Sequence, residues 1–462
     1  MRITSRVRPI NGLCVCLKPG AGAGRCPEGP PVMMLGAIYS MKANVLVVGG
    51  GVMGVSAAMF AARQGDPLSE PVVLLERDAL GSGSSGRSEA ILCHHNLDRS
   101  AAFMAKDSIR FYQSFLKKTG QPVGLQASGV LLLAGPRQAE RLRSTIEQLQ
   151  SIGVDAHCLT AAQARERVPG LELDDDYQAV WEPKAGTVGA RQTIESMGAL
   201  ARYYGAATRI GVSAEELVIK NGHMVGVETS AGFYESARVV LAAGPHTKVL
   251  LAQAGIDLGL VDEWVQYTYC TMPHPESQEP QESPEPVAEH DEADYDPLAT
   301  NFEPRFIPAE PVRGPLPHPV VIDLEAGWFA RCEREESRTR VGQWRGSPDE
   351  LKASGGRATG VDGNVTDSFR SWAHGLLRER FPLYRDQAEA GSSSNRVVRT
   401  ADGRPLIGAV SAVGGLFVAT GFAGHEFQLA PSVGEGLAQL MAGKPVSAFH
   451  PELFSPDRLQ TV

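Results

Sequence analysis

The sequence predicts an α/β fold organised around a parallel, nucleotide-binding sheet, and three observations predict it. The run "NVLVV" is continuously apolar, as a strand buried on both faces must be, and it leads through "GGGVMG" into a helix-forming stretch from Val52 to Gln64. "PVVLLER" repeats the buried-strand pattern, so residues 44–77 read as one βαβ unit. Residues 395–450 return to the same order of strand, glycine turn and helix. At 462 residues the chain exceeds one small core, and two domains are expected.

The remaining elements follow in order. A polar loop, "GSGSSGRSEA", precedes an amphipathic helix around residues 100–118. "SGVLLLAG" and the charged helix "PRQAERLRSTIEQLQSIG" belong to a separate sub-structure. "ARQTIESMGALARYYGA" reads as a helix and "VVLAAGPHT" as a further buried strand. Residues 274–319 are crowded with proline, and 276–310 carry many acids against the single base Arg305. Such a segment buries too little apolar surface to offset its ordering entropy, so a flexible surface insertion is expected, with a lid or docking arm as the functional alternative. Residues 1–40 are basic and rich in glycine and proline, with no acid before Glu28. We read them as a disordered extension ahead of a start at Met41, an organellar transit peptide being the alternative.

Composition narrows the function classes. The chain has 43% hydrophobic and 21% charged residues, as soluble globular proteins do. Its net charge of -9 argues against nucleic acid as a partner. The seven cysteines are scattered and form no C-x-x-C pair, so we expect reduced thiols, no metal site and a cytoplasmic location. Val45–Ala62 is uncharged and long enough to span a bilayer, but its glycines make a strand, turn and helix the better reading, and no membrane span is expected.

Gly49-x-Gly51-x-x-Gly54 lies between a buried strand and a helix, the context that a dinucleotide fingerprint requires. Gly49 allows the tight turn, Gly51 lets a pyrophosphate approach the backbone, and Gly54 lets the helix pack on the strand. The first amides of the helix, at Val52 and Met53, then face the phosphates with the helix dipole behind them. Glu76, followed by Arg77, ends the second strand about twenty residues on, where a carboxylate accepts hydrogen bonds from the adenosine ribose. In the loop that follows, Ser84, Ser85 and the Gly86 backbone offer donors to phosphate, and Arg87 adds a permanent charge. A protein using soluble NAD has no need of this loop.

Together, "VLVVGGGVMG", "LLERDALGSGSSGRS", "VVLAAGPHT" and "TADGRPLIG...GLFVATGFAGHEFQLAPSVGE" give the chain, from Met41 to about Pro451, its resemblance to the D-amino-acid-oxidase-like FAD superfamily, in its sarcosine oxidase and glycine oxidase branch. The resemblance implies FAD and a Rossmann-like FAD-binding domain of discontinuous segments, assigned to 41–125, 188–255 and 395–451. It also implies an antiparallel-sheet substrate domain over the flavin, assigned to 126–187 and 256–394. Ala243 and Gly244 join the cofactor-binding set, and the turn containing Gly421, Gly424, His425 and Glu426 is expected against the pyrimidine edge of the flavin ring. There the backbone amides, the helix N-terminus and the His425 ring would stabilise negative charge on the reduced cofactor.

The departures from the family pattern are informative. Positions at which relatives attach FAD covalently hold Arg87 and Asn395, so non-covalent FAD is expected. Positions that grip a substrate carboxylate hold Cys93 and Gln428. The oxygen-activating lysine falls at Arg340, and an active-site histidine falls near Trp344. A buried carboxylate without a cation costs several kcal/mol, so Arg331, Arg340, Arg396 or Arg399 must supply the charge, or the substrate is no simple amino acid. His94 and His95 are further candidates near the flavin.

The function expected is oxidation of a C–N bond in an amino acid or secondary amine by hydride transfer to FAD, with Arg87, His425, Gln428 and Arg340 as the catalytic candidates. Dehydrogenase behaviour, with a quinone or protein as electron acceptor, is favoured over oxidase behaviour. Two rivals are a flavin-binding assembly or scaffold protein with a degenerate substrate site, and a hydroxy-acid dehydrogenase. No residue pattern specifies an oligomeric state.

Overall fold

The fingerprint segment becomes the centre of a six-stranded sheet. The computed structural model describes residues 41–65, 71–95, 99–273, 316–344 and 364–459. The sheet runs Leu406–Ala409, Leu416–Thr420, Val239–Leu241, Val45–Val48, Val72–Glu76 and Ala207–Ile210, with only its first pair antiparallel. Val45–Val48 is buried throughout, because helices pack on one side and a second layer on the other. All six strands come from segments 41–125, 188–255 and 395–451.

Four helices, Val52–Gln64, Arg99–Thr119, Ala190–Tyr203 and Glu426–Met441, build the layer on one face, and their sequences explain how closely they pack. Val52–Gln64 is rich in alanine and is buried from Val52 to Ala62. It lies against Glu426–Met441, where a Cβ on Gly434 would fall 2.3 Å from Ser56 Oγ. Pro431, inside that helix, has no amide to offer the Phe427 carbonyl. The hydroxyl of Tyr112, on the helix Arg99–Thr119, donates to that carbonyl instead, at 2.9 Å. An orphaned backbone acceptor is thereby satisfied from a neighbouring helix.

The second large sheet has eight strands in the order Glu389–Arg399, Val261–Thr271, Arg338–Gln343, Trp328–Glu333, Val320–Asp323, Val130–Ala134, Gln178–Glu182 and His157–Thr160. Its pairs are antiparallel except Val320–Asp323 with Val130–Ala134. The strand Glu389–Arg399 crosses the expected boundary at residue 395 and carries Arg396, Val397 and Val398 to the wall of the cleft described below. A four-stranded sheet of Met41–Lys42, Gly232–Glu235, His223–Thr229 and Ala214–Lys220 was not anticipated.

The expected extension at 1–40 and most of the expected insertion lie outside the described residues. The end of that insertion is corrected. His318 is buried, stacks on Phe381 at 4.5 Å between ring centroids, and lies 3.0 Å from Tyr384 Oη. A residue fixed by an aromatic stack and a polar contact belongs to the core. Among the described residues, no helix is long and apolar enough to cross a membrane. Cys93, Cys270 and Cys332 are buried free thiols, and Cys158 is an exposed one.

Candidate active site at the glycine turn and its adjoining cavity

Each fingerprint glycine has a separate steric reason. Gly49 has φ +111°, and a Cβ there would lie 2.5 Å from the Ala242 carbonyl oxygen. A Cβ on Gly54 would lie 1.8 Å from Gly49 O, so the helix reaches the turn only because residue 54 has no side chain. Gly51 is open except toward Ser85 Oγ, 2.9 Å from its hypothetical Cβ. Val52 and Gly54 are buried behind this turn, and the Val52 amide donates to Ser85 Oγ at 3.2 Å.

The turn opens on a cleft of about 520 Å³. Its walls include Gly49, Gly51 and Met53 from the fingerprint, and Glu76 and Arg77 from the second strand. Ser84, Ser85 and Arg87 come from the serine loop, with Ala243, Gly244 and Gly421 opposite. Glu76 accepts the Gly50 amide at 2.7 Å on one oxygen and the Asp78 amide at 2.8 Å on the other. Ser82 Oγ also donates to the second oxygen at 3.4 Å, and a carboxylate oxygen can accept more than one hydrogen bond. A glycine cradle that any Cβ would fill, a fixed carboxylate and a helix N-terminus suit a dinucleotide, so the residues present fit FAD. Gly86 serves the loop rather than the cleft wall, since a Cβ there would lie 1.9 Å from Gly81 O.

Beneath the serine loop the two large sheets are tied together. Asn395 Nδ2 donates to Ser84 O at 2.9 Å, and the Ser84 hydroxyl donates to Arg396 O. Arg340 Nη1 donates to Arg87 O at 2.9 Å, while its Nε lies 2.6 Å from Glu333 Oε1. The Arg87 side chain itself is exposed at the cleft. Arg340 is 7% exposed and lines neither the cleft nor the cavity beyond it. Its expected place at the reacting centre therefore gives way to a supporting one. Arg331, on the neighbouring strand, is buried, and burial pushes its guanidinium down to about 10.

The turn "GFAGHEF" is folded against itself more than expected. Gly421 has φ +81° and Gly424 φ +102°. The His425 amide donates to Phe422 O at 3.1 Å, and the Gly424 amide reaches Glu426 Oε1 at 3.4 Å. These two amides, expected to face a flavin, are engaged within the turn. The N-terminus of the helix Glu426–Met441 still begins here.

A small cavity continues the cleft, sharing Ser84, Val397 and Glu426 with it. Its other walls include Glu89, Tyr267, Trp344 and His425. Tyr267 Oη donates to Glu89 Oε2 at 2.8 Å, and the Trp344 and His425 rings meet edge to face at 5.7 Å. Burial, with the nearby Glu89 charge adding to it, pushes the Glu426 carboxyl up to about 7. Glu89 and Tyr267 were not singled out from the sequence. The one available signal was an acid inside the otherwise neutral and basic "GSGSSGRSEA".

Gln428 and the two histidines occupy other places than expected. Gln428 is 1% exposed and lines neither space. Its Nε2 lies 2.8 Å from His425 Nδ1, and its Oε1 accepts the Cys93 amide at 3.4 Å. His94 is held by the fully buried Glu182, whose Oε2 lies 2.8 Å from both its amide and its Nδ1. Burial pushes the neighbouring His95 down to about 4. The structure thus brings Cys93 and Gln428 together, but behind the cavity wall.

Comparison with known proteins agrees with this geometry. The family described as FAD dependent oxidoreductase (DAO) matches residues 44–440. The chain is 25% identical over 417 residues to 4-methylaminobutanoate oxidase (formaldehyde-forming) of Paenarthrobacter nicotinovorans, covering 87% of this chain and 44% of the relative. It is 24% identical over 251 residues to human mitochondrial dimethylglycine dehydrogenase, covering 54% of this chain and 29% of the relative. The chain thus spans less than half the length of these relatives. In fold it resembles L-proline dehydrogenase from P. horikoshii, with a TM-score of 0.73, 21% identity, and 91% and 98% of the two chains covered.

Proposed function

The chain belongs to the DAO family of FAD-dependent oxidoreductases, and from that premise we propose that it oxidises a C–N bond of a secondary amine or amino acid with a non-covalently held FAD. The observation that carries this reading is the junction of the glycine-turn cleft with a side cavity through the shared walls Ser84, Val397 and Glu426. FAD, when bound, supplies the acceptor for hydride. The protein's own groups bind and orient. The Gly49–Gly51 turn and the helix starting at Val52 would receive the phosphates, Glu76 would receive the ribose hydroxyls, and Arg87 would add positive charge from the serine loop. Neither Arg87 nor Asn395 offers a nucleophile for a covalent link, which supports a non-covalent cofactor.

The two-sheet division supports the partition into an FAD-binding domain and a substrate domain. His425, fixed by Gln428 and Trp344, borders the cavity with the rings of Tyr267 and Trp344. Arg340, committed to Glu333 and the Arg87 carbonyl, stands where the resemblance expects an oxygen-activating lysine, which supports a dehydrogenase passing electrons to a quinone or protein acceptor. Supplying secondary amines with a quinone or with oxygen, and measuring the carbonyl product of imine hydrolysis alongside peroxide, tests this reading. Carbonyl product with the quinone and little peroxide with oxygen is expected. A hydroxy acid converted in preference to every amine would overturn it. A second reading, a flavin-carrying assembly protein, draws on the Cys93–Gln428 contact, because two positions that relatives are expected to use for substrate are here bonded to one another.

A further inference from the structure

We propose that Glu89, with the rings of Tyr267 and Trp344, forms a binding site for an alkylammonium head, so that the preferred substrate is an N-alkylamine with no carboxylate beside the nitrogen. This inference rests on the amine-oxidation reading and names the substrate class at the same site.

The chemistry of the cavity wall carries it. Glu89 is 8% exposed, and its hydrogen bond from Tyr267 occupies one of its oxygens. The other, Oε1, faces the turn, 3.2 Å from where a Cβ on Gly424 would lie. A carboxylate this buried calls for a positive partner. Arg331 and Arg340, whose charges are felt at Glu89, line neither the cavity nor the cleft. Arg340 is committed to Glu333 at 2.6 Å and sits 5.0 Å from the Tyr267 ring centroid, and Arg331 lies 4.0 Å from the same Glu333 oxygen. Both charges are set chiefly against Glu333, with Glu89 a weaker partner of each.

The acidic side chains on the cavity wall itself are Glu89 and Glu426, with His425 the one basic group among the lining residues. Two carboxylates beside aromatic faces are what an ammonium seeks, through charge and through the ring quadrupoles. An α-amino acid would place a third carboxylate among them. Size points the same way, since the free space is about 20 Å³, room for a group about as large as a water or a methyl. An N-methyl head fits there.

The test uses FAD-loaded protein and two small probes, methylammonium and acetate, each titrated anaerobically while the visible flavin spectrum and tryptophan fluorescence are followed. Stopped-flow reduction by sarcosinamide and by sarcosine, which differ in one charge, accompanies the titrations. Methylammonium should bind at least about tenfold more tightly than acetate, and sarcosinamide should reduce the flavin faster than sarcosine at subsaturating concentration. Glu89→Gln should weaken methylammonium binding about tenfold or more, and Tyr267→Phe should weaken it less, with FAD content retained. Tighter binding of acetate, or unchanged methylammonium binding in both variants, would overturn the proposal. Methylammonium binding that depends on Glu89, without reduction by any amine, supports the site and removes only the oxidation reading. Faster reduction by sarcosine, with no methylammonium binding, leaves that reading standing and removes the site.

Discussion

Gln428 Nε2 lies 2.8 Å from His425 Nδ1, and this contact fixes which face of the imidazole borders the cavity. Because the amide nitrogen is a donor only, Nδ1 is the acceptor and the ring proton resides on Nε2. The same side chain accepts the Cys93 amide, so residue 428 serves two partners from a buried position. Gln428→Lys should therefore not improve reduction by small amino acids. It places an ammonium in a buried site and leaves the Cys93 amide unpaired, at a cost of roughly 1–3 kcal/mol. Denaturant unfolding and the FAD content of purified protein read this. An unchanged midpoint with faster amino-acid reduction would show that residue 428 does reach the substrate.

Glu76→Ala should weaken FAD binding. It removes a charged acceptor from the cleft and releases the Gly50 amide held at 2.7 Å. Hydrogen bonds to charged groups contribute roughly 1.5–3 kcal/mol each, so a loss of affinity of about tenfold or more is expected on titrating apoprotein with FAD. Equal affinity in the variant would remove Glu76 from the cofactor site.

Acid precipitation should release all the flavin. Asn395 is occupied with the Ser84 carbonyl and Arg87 is not a nucleophile, so no side chain at these positions can hold FAD covalently. Flavin fluorescence that stays on the protein band of a denaturing gel would contradict this.

Stability should fall as pH rises from about 4.5 to 7, through Glu435. Burial chiefly, and the nearby Asp107, push its carboxyl up to about 7 in the folded protein, against 4.5 without those effects. In that window the native state holds more protons than the unfolded one, so the slope of unfolding free energy with pH is negative. The cost approaches roughly 2–3 kcal/mol above pH 7 and vanishes below about 4.5. Glu435→Gln should therefore raise stability at pH 8 and change little at pH 4.5, measured by denaturant unfolding at both values. A gain of equal size at both would point to packing rather than ionisation.

Local pattern accounts for what was readable beforehand. The strand and helix from Val45 to Gln64 appear as expected, because burial on both faces and glycine sterics are written into adjacent residues. The hairpins between Ala214 and Glu235 have mixed exposure and short alternation, and were missed. Glu89 and Tyr267 are separated by 178 positions, so their hydrogen bond exists only through the meeting of the two sheets. Resemblance pointed to Gln428 as a position, but its side chain turns inward because the helix begins at Glu426 and the His425 ring lies against it. The amides of Gly424 and His425 are consumed by φ values that glycine permits and sequence does not display.

The most direct test of the central claim is a single anaerobic turnover. FAD-loaded protein is mixed with a series of secondary amines and D-amino acids, and the visible flavin absorbance is followed together with the organic product. The account predicts that at least one secondary amine bleaches the flavin rapidly and yields the carbonyl and primary amine of a hydrolysed imine, stoichiometric with flavin. Flavin that is bleached by dithionite but by none of these compounds would contradict it.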